Sequence, residues 1–161
     1  APPPPGLMRL QEYVEISLQR TREALPDHVA AGLLSLINHL SPGDGLCHGD
    51  PNPGNVILTA NGAKMIDWIA ALRAPPAFDL ASAHVMLTEL APHVSDDPER
   101  PRAVHAAMHA AYAGLSGVSP DALAASAAPY LPLVRALAVL SGAVPTQRMR
   151  LVQQLETDFP A

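Results

Sequence analysis

The sequence predicts a mainly α-helical fold carrying one short β-hairpin. Three observations predict it. Apolar residues recur at helical spacing from Leu7 to Leu40 and again from Asp79 onward. Residues 46–70 alone turn β-prone, around an Asn61-Gly62 pair between apolar runs. The chain has 161 residues, 48% of them apolar, enough for one domain with its own core.

The first helix is expected over Leu7–Leu25, where Leu10, Val14 and Leu18 share a face. Pro26 suits the first turn of a second helix, whose apolar face is Val29, Leu33, Leu34, Ile37 and Leu40. Ser41-Pro42-Gly43-Asp44-Gly45 has loop chemistry. Val56-Ile57-Leu58-Thr59 and Lys64-Met65-Ile66 are the hairpin strands. Asp79 is expected to cap a helix reaching Leu90. Asp97-Pro98-Glu99 and Ser119-Pro120-Asp121 each combine an N-cap, a proline and an acidic first turn. Pro129 and Pro132 interrupt the next helical segment, and Pro145 opens a last helix through Leu155. Residues 1–6, with four consecutive prolines, read as a stiff linker to a single domain over 7–161.

Composition narrows the function. Lys and Arg total 10 against 15 Asp and Glu, a net charge of −5, which makes a poor binder of duplex nucleic acid, where affinity rests on neutralising phosphates. No uninterrupted apolar run approaches the roughly 18 residues of a membrane span. A lone cysteine, Cys47, excludes an intramolecular disulfide and fits a reducing, cytoplasmic setting.

The informative stretch is His48-Gly49-Asp50-Pro51-Asn52-Pro53-Gly54-Asn55, with Ile66-Asp67-Trp68 downstream of it. A two-residue Asn61-Gly62 loop sets Val56 opposite Asp67 and Asn55 opposite Trp68. A three-residue loop sets Asn55 opposite Asp67 itself. Either register places the Asn55 amide beside the Asp67 carboxylate at the open end of the hairpin, near Asp50. Two oxygen ligands and a further carboxylate suit a hard cation such as Mg²⁺. Phosphoryl transfer needs such a set: metal near the phosphates, and a separate aspartate for the attacking hydroxyl.

His48-Gly49-Asp50-x-x-x-x-Asn55 resembles the kinase catalytic loop, H-R-D-x-x-x-x-N. With Gly49 in the middle and Pro53 before Gly54-Asn55, it is more similar to the aminoglycoside phosphotransferase and choline-kinase group. Ile66-Asp67-Trp68 matches that group's form of the D-F-G element, and Phe78-Asp79-Leu80-Ala81 resembles its next block. The resemblance is sharp over residues 46–81 and looser elsewhere. It implies the large, C-terminal lobe of a protein-kinase-like fold, with the N-terminal β lobe absent: there is no glycine-rich loop, and the sole lysine, Lys64, lies after the catalytic loop. It further implies ATP and Mg²⁺ as nucleotide and metal, a small-molecule hydroxyl as acceptor, and Asp50 as catalytic base. His48 sits in the catalytic loop as an orienting member, Asn55 and Asp67 hold Mg²⁺ and the nucleotide phosphates, and Asp79 steadies the loop. Alone, this lobe is expected to be inactive and to self-associate through its exposed lobe interface.

Other readings stand beside this one. A kinase-like binding or scaffolding module would keep the motif without catalysis. A metal-dependent hydrolase would use His48, Asp50 and Asp67. Cys47 reads as a small core residue, and Trp68 and Tyr13 as core aromatics. His105 and His109, four apart, have no third metal ligand in evident spacing and read as two solvated histidines on one helix face. Asp96, Asp97 and Glu99 read as a helix cap rather than a patch for a cationic substrate.

Overall fold

A computed structural model describes residues 3–142 and 145–161 of the chain. Ala1 and Pro2 of the proline run lie outside them. Helix α1 spans Leu10–Arg20, begun by the Arg9 N–H donating to Glu12 at 3.0 Å. Its buried face is Leu10, Val14 and Leu18, four residues apart, as the spacing predicts. A short 3₁₀ turn, Arg22–Ala24, replaces the expected last helical turn. Helix α2, Asp27–His39, starts just after Pro26 and buries Val29, Leu33 and Ile37 against α1. Asp27 in its first turn and His39 in its last complement the helix dipole.

The β structure departs from expectation in two ways. Two antiparallel pairs form among the described residues, where one hairpin was expected. β1, Gly45–Cys47, pairs with β4, Leu72–Ala74, joining Cys47 to Leu72. Arg73 N–H also donates to Met8 O at 2.8 Å, tying the start of the chain to this sheet.

The hairpin itself is β2, Val56–Thr59, with β3, Gly62–Met65, and its register differs from both predicted ones. Thr59 pairs with Gly62 and Val56 with Met65. Among the described residues only Asp67 and certain glycines have positive φ, so Asn61 does not enter the primed turn that Asn-Gly usually makes. Ala60 and Asn61 form the turn and Gly62 comes next at φ +98°, in the manner of a turn plus bulge. The Thr59 hydroxyl fixes it, donating to Gly62 O at 2.8 Å and accepting from Asn61 N–H at 3.2 Å. Asn55 therefore stands opposite Ile66, whose N–H donates to Asn55 O at 2.9 Å, and Asp67 lies one residue beyond.

Helix α3 spans Pro76–His84 and continues as a π-helical turn, Val85–Leu90. The run reaches Leu90 as predicted, but Pro75 and Pro76 open it, so Asp79 lies inside the first turns and caps nothing. A 3₁₀ turn over Ala91–His93 contains Pro92, which has no N–H to continue the ladder.

Helix α4, Glu99–Ser116, starts beside the Asp97 carboxylate, which accepts from Glu99 N–H at 3.2 Å, and closes on Gly117 at φ +69°. Helix α5, Pro120–Ala127, has Ser119 as N-cap, accepting from Ala122 N–H at 3.2 Å. Helix α6, Leu131–Leu140, comes after the 3₁₀ turn Ala128–Tyr130 that carries Pro129. Helix α7 spans Arg148–Asp158, three residues later than the proline-initiated start predicted for it.

The run Pro120–Leu140 is long and apolar enough by length and composition to cross a bilayer. That corrects the expectation drawn from unbroken apolar stretches alone. In this fold it is broken into α5, a 3₁₀ turn and α6, and it turns one face to the core. Leu123, Ala127, Tyr130, Leu133, Ala136 and Val139 are buried, and Arg135 forks onto Glu89 at 2.9 and 2.7 Å.

The core lies where α2, α3, α6 and α7 converge, with Leu33, Leu133, Leu151 and Leu155 fully enclosed. The loop after β1 crosses one edge of this core. Its first end is anchored on packed structure at Cys47, and its second runs into the exposed strand β2.

Candidate functional site

The loop from His48 to Asn55 is held from beneath by Asp79. The Asp79 carboxylate accepts from His48 N–H at 2.7 Å and from Gly49 N–H at 2.9 Å. The prolines that open α3 free Asp79 from capping and aim it at the loop. Its carboxyl is pushed above the usual range by burial, against the pull of these two N–H donors. Gly49 has φ +81°, and a Cβ there would collide with the Ala70 carbonyl oxygen. Only glycine lets the loop pass this close to residues 68–71.

His48 is buried, and both ring nitrogens are engaged. Nδ1 accepts from Asp50 N–H at 3.3 Å, and Nε2 lies 2.8 Å from Ile66 O. A carbonyl only accepts, so the ring proton sits on Nε2. His48 thus ties the loop to the end of β3, and the Trp68 ring packs on it at 4.6 Å between centroids. Trp68 is 44% and Tyr13 36% exposed, so neither is the core aromatic expected from sequence. Both face the site region instead.

Asp50 stands on the loop with its carboxylate oriented by two amides. Asn52 Nδ2 donates to Oδ1 at 2.8 Å, and Asn55 Nδ2 donates to Oδ2 at 3.0 Å and to Asp50 O at 3.0 Å. Asn52 Oδ1 in turn accepts from Gly54 N–H at 2.8 Å. With its amide nitrogen spent on Asp50, Asn55 keeps its oxygen, Oδ1, available to a ligand. Asp67 comes after β3 as the one non-glycine residue with positive φ among those described, at φ 60° and ψ 60°. Aspartate tolerates this left-handed conformation better than most residues. Its side chain is exposed.

The loop and hairpin therefore bring Asp50 and Asn55 into direct contact and leave Asp67 one residue past the Asn55–Ile66 pair. Among the described residues, no three His, Cys, Asp or Glu side chains are arranged to hold a metal by themselves. An amide oxygen and a carboxylate that borrow phosphate oxygens from a nucleotide are a smaller donor set, of the hard-oxygen type that Mg²⁺ takes.

Cys47 adjoins the loop but is chemically quiet. It is fully buried, donates weakly to Pro75 O at 3.3 Å, and its thiol is pushed up to about 12 by burial and the Asp79 charge. The core reading of this residue agrees with the structure.

Sequence reasoning missed an apolar cavity of about 270 Å³ that opens beside Asp50. Tyr13, Phe78, Val85, Met86 and Leu137, from α1, α3, the π-helical turn and α6, are among the residues around it. Each reads in sequence as an ordinary core position. The π-helical turn was the one irregularity that marks such a place, and it has no sequence signature of its own.

The His105–His109 pair also differs from its reading as two solvated histidines. Both line a second cavity of about 370 Å³ together with His84, which reaches them from α3. The His84 and His105 rings meet edge-on at 5.1 Å, and those of His105 and His109 stack at 5.7 Å. Burial holds His84 and His105 below the ordinary imidazole value of 6.5, with Arg135 and His109 opposing a charge on His84 and Glu89 favouring it, and His84 and His109 opposing one on His105. A histidine depressed in the fold is protonated first in the unfolded chain, so stability is full above that value and falls as pH drops through it. The melting temperature is expected to fall between about pH 7.5 and about pH 5.5, and His105→Gln to flatten the fall. Equal slopes in the two proteins would count against the cluster as the cause.

A family model for the phosphotransferase enzyme family matches residues 5–115, more than half of the 161-residue chain. No curated protein and no solved structure gives a significant match. The matched span contains the Asp79-held loop, the hairpin and the Asp50–Asn55 contact in one continuous unit. The chain belongs to the phosphotransferase enzyme family.

Proposed function

We propose that this chain is the large lobe of a kinase-like phosphotransferase that moves the terminal phosphoryl group of ATP to a hydroxyl of a small molecule. The observation that carries the reading is the Asp50 carboxylate, fixed by Asn52 and Asn55 at the mouth of a cavity. A base held this way meets an acceptor hydroxyl without reorganising first. The hydroxyl proton passes to Asp50 as the acceptor oxygen bonds the terminal phosphorus. The bond from that phosphorus to the bridging oxygen breaks, and ADP leaves.

His48 positions the loop in this scheme. Its Nδ1 accepts from Asp50 N–H and its Nε2 proton is committed to Ile66 O, so it transfers no proton to substrate. Asn55 and Asp67 would hold Mg²⁺, which when bound neutralises charge on the phosphates. The same proposal includes a small lobe that clamps the nucleotide over this site. A reducing, cytoplasmic location belongs to the same proposal and rests on the lone buried thiol of Cys47.

The experiment is a titration with Mn²⁺·ATP, the paramagnetic ion standing in for Mg²⁺, read by NMR line broadening. Selective broadening of the amides of residues 50–55 and 66–68 is expected, and its loss in Asp67→Asn. Asparagine tolerates the left-handed backbone as aspartate does, so the fold survives while the charge goes. Broadening confined to Asp96, Asp97 and Glu99 would overturn the assignment.

An apolar face accompanies the site. Ile57, Leu58, Ile66, Trp68 and Ile69 are exposed along the hairpin and the turn after it, Leu58 by 84% and Ile69 by 93%. A face of this kind is an interaction surface. In the proposed enzyme the small lobe covers it, and in isolation the chain is expected to self-associate there. Light scattering should give a mass that rises with concentration and reverts to monomer in Leu58→Lys/Ile69→Lys.

A further inference from the structure

We infer that the acceptor of this phosphotransferase is a small, largely apolar, uncharged alcohol, and that the cavity beside Asp50 is where it binds. This rests on the phosphotransfer reading and adds the substrate class to it.

The cavity holds about 270 Å³. That is room for roughly nine waters, at the small end of ligand pockets. Asp50 is the one charged residue on its wall. Three further residues there carry hydroxyls: Tyr13, Ser82 and Ser141. The Ser82 hydroxyl already donates to Phe78 O at 2.9 Å and that of Ser141 to Ala138 O at 3.0 Å. The rest of the wall is aliphatic or aromatic apart from Gly49.

Charge decides the class. A polycationic acceptor would enter this cavity with several ammonium groups and meet a single carboxylate. Two hydrogen bonds from Asn52 and Asn55 already occupy that carboxylate in part. Ammonium groups desolvated without partners are strongly disfavoured. The acidic residues that could have served them, Asp96, Asp97 and Glu99, stand at the start of α4 and do not line the cavity. A neutral molecule with one hydroxyl near Asp50 and a hydrocarbon body against Phe78, Val85, Met86 and Leu137 leaves no buried charge unmatched. The π-helical turn supplies Val85, Met86 and Leu90 to this wall, a local irregularity of the sort that gathers at functional sites.

The test reads binding to this chain with no nucleotide present, so it does not depend on catalysis. Phenethyl alcohol is the neutral probe, and deoxystreptamine, a diaminocyclitol of similar size, the cationic one. Phenethyl alcohol is expected to saturate and to shift the methyl resonances of Val85, Met86 and Leu137. Ala138→Leu, which fills the cavity from α6, is expected to weaken it about tenfold or more. The methyl shifts in the unmodified chain keep the test decisive should that variant misfold. Deoxystreptamine binding more tightly at these methyls, phenethyl alcohol shifting other methyls only, or neither probe binding would each overturn the inference. The phosphotransfer reading fails separately, through the Mn²⁺·ATP result: a cavity that takes phenethyl alcohol while Mn²⁺·ATP broadens only Asp96, Asp97 and Glu99 keeps the apolar site and removes the kinase.

Discussion

Asp50→Asn is expected to lower phosphoryl transfer by about 10²–10⁴-fold in the proposed two-lobed enzyme, with little change in the KM for ATP. The substitution removes the proton acceptor and keeps most of its surroundings. The new amide oxygen still accepts from either Asn52 or Asn55, whose nitrogens lie 2.8 and 3.0 Å from the present carboxylate. One of the two bonds is lost, because an amide nitrogen then faces an amide nitrogen. The cost to stability is about 1 kcal/mol, too small to unfold the loop. A loss of rate with intact folding and intact nucleotide affinity identifies a base. A loss of only a few-fold would show that Asp50 merely shapes the loop. The acceptor for this assay is a small apolar alcohol, and transfer to water as release of phosphate serves as the control.

The helices were readable because their information is local. Leu10, Val14 and Leu18, or Val29, Leu33 and Ile37, declare a buried face by spacing alone. The β1–β4 pair was not readable. Three residues a side offer too little alternation, and Cys47 and Leu72 meet across a long stretch of intervening chain. The Asn61-Gly62 signal located the hairpin turn but mistook its type, since the Thr59 hydroxyl and Gly62 settle a different register. At the site, the motif residues were evident because their chemistry is unusual in sequence. Asp79 was half legible: its hold on the loop came from family resemblance, while its supposed cap was displaced by the two prolines before it. The cavity was invisible. Its wall is drawn from several elements, and an apolar residue facing a cavity looks in sequence like one facing the core.

The loop's dependence on Asp79 gives the largest expected effect on stability. Asp79→Ala leaves the N–H groups of His48 and Gly49 without their acceptor beside a buried histidine. A buried donor without a partner costs about 1–3 kcal/mol, and the relief of a desolvated carboxylate offsets part of two such losses. The net is expected to be about 2–4 kcal/mol at neutral pH, read as a lower urea midpoint. The sign of its pH dependence comes from the raised carboxyl. A carboxyl held above its ordinary value contributes most when protonated, and the contribution falls as pH rises through the folded value. The gap between the two proteins should therefore widen as pH falls through the folded value of Asp79. Asp79→Asn should fall between them, since one oxygen still accepts while the amide nitrogen confronts the second N–H. Gly49→Ala strikes the same loop from its other side, where a Cβ meets Ala70 and φ is +81°. If Asp79 is the clamp, both substitutions must also cut transfer, because Asp50 is the next residue along. A stable Asp79→Ala protein with full activity would mean that the loop holds its shape through His48 and Ile66 alone.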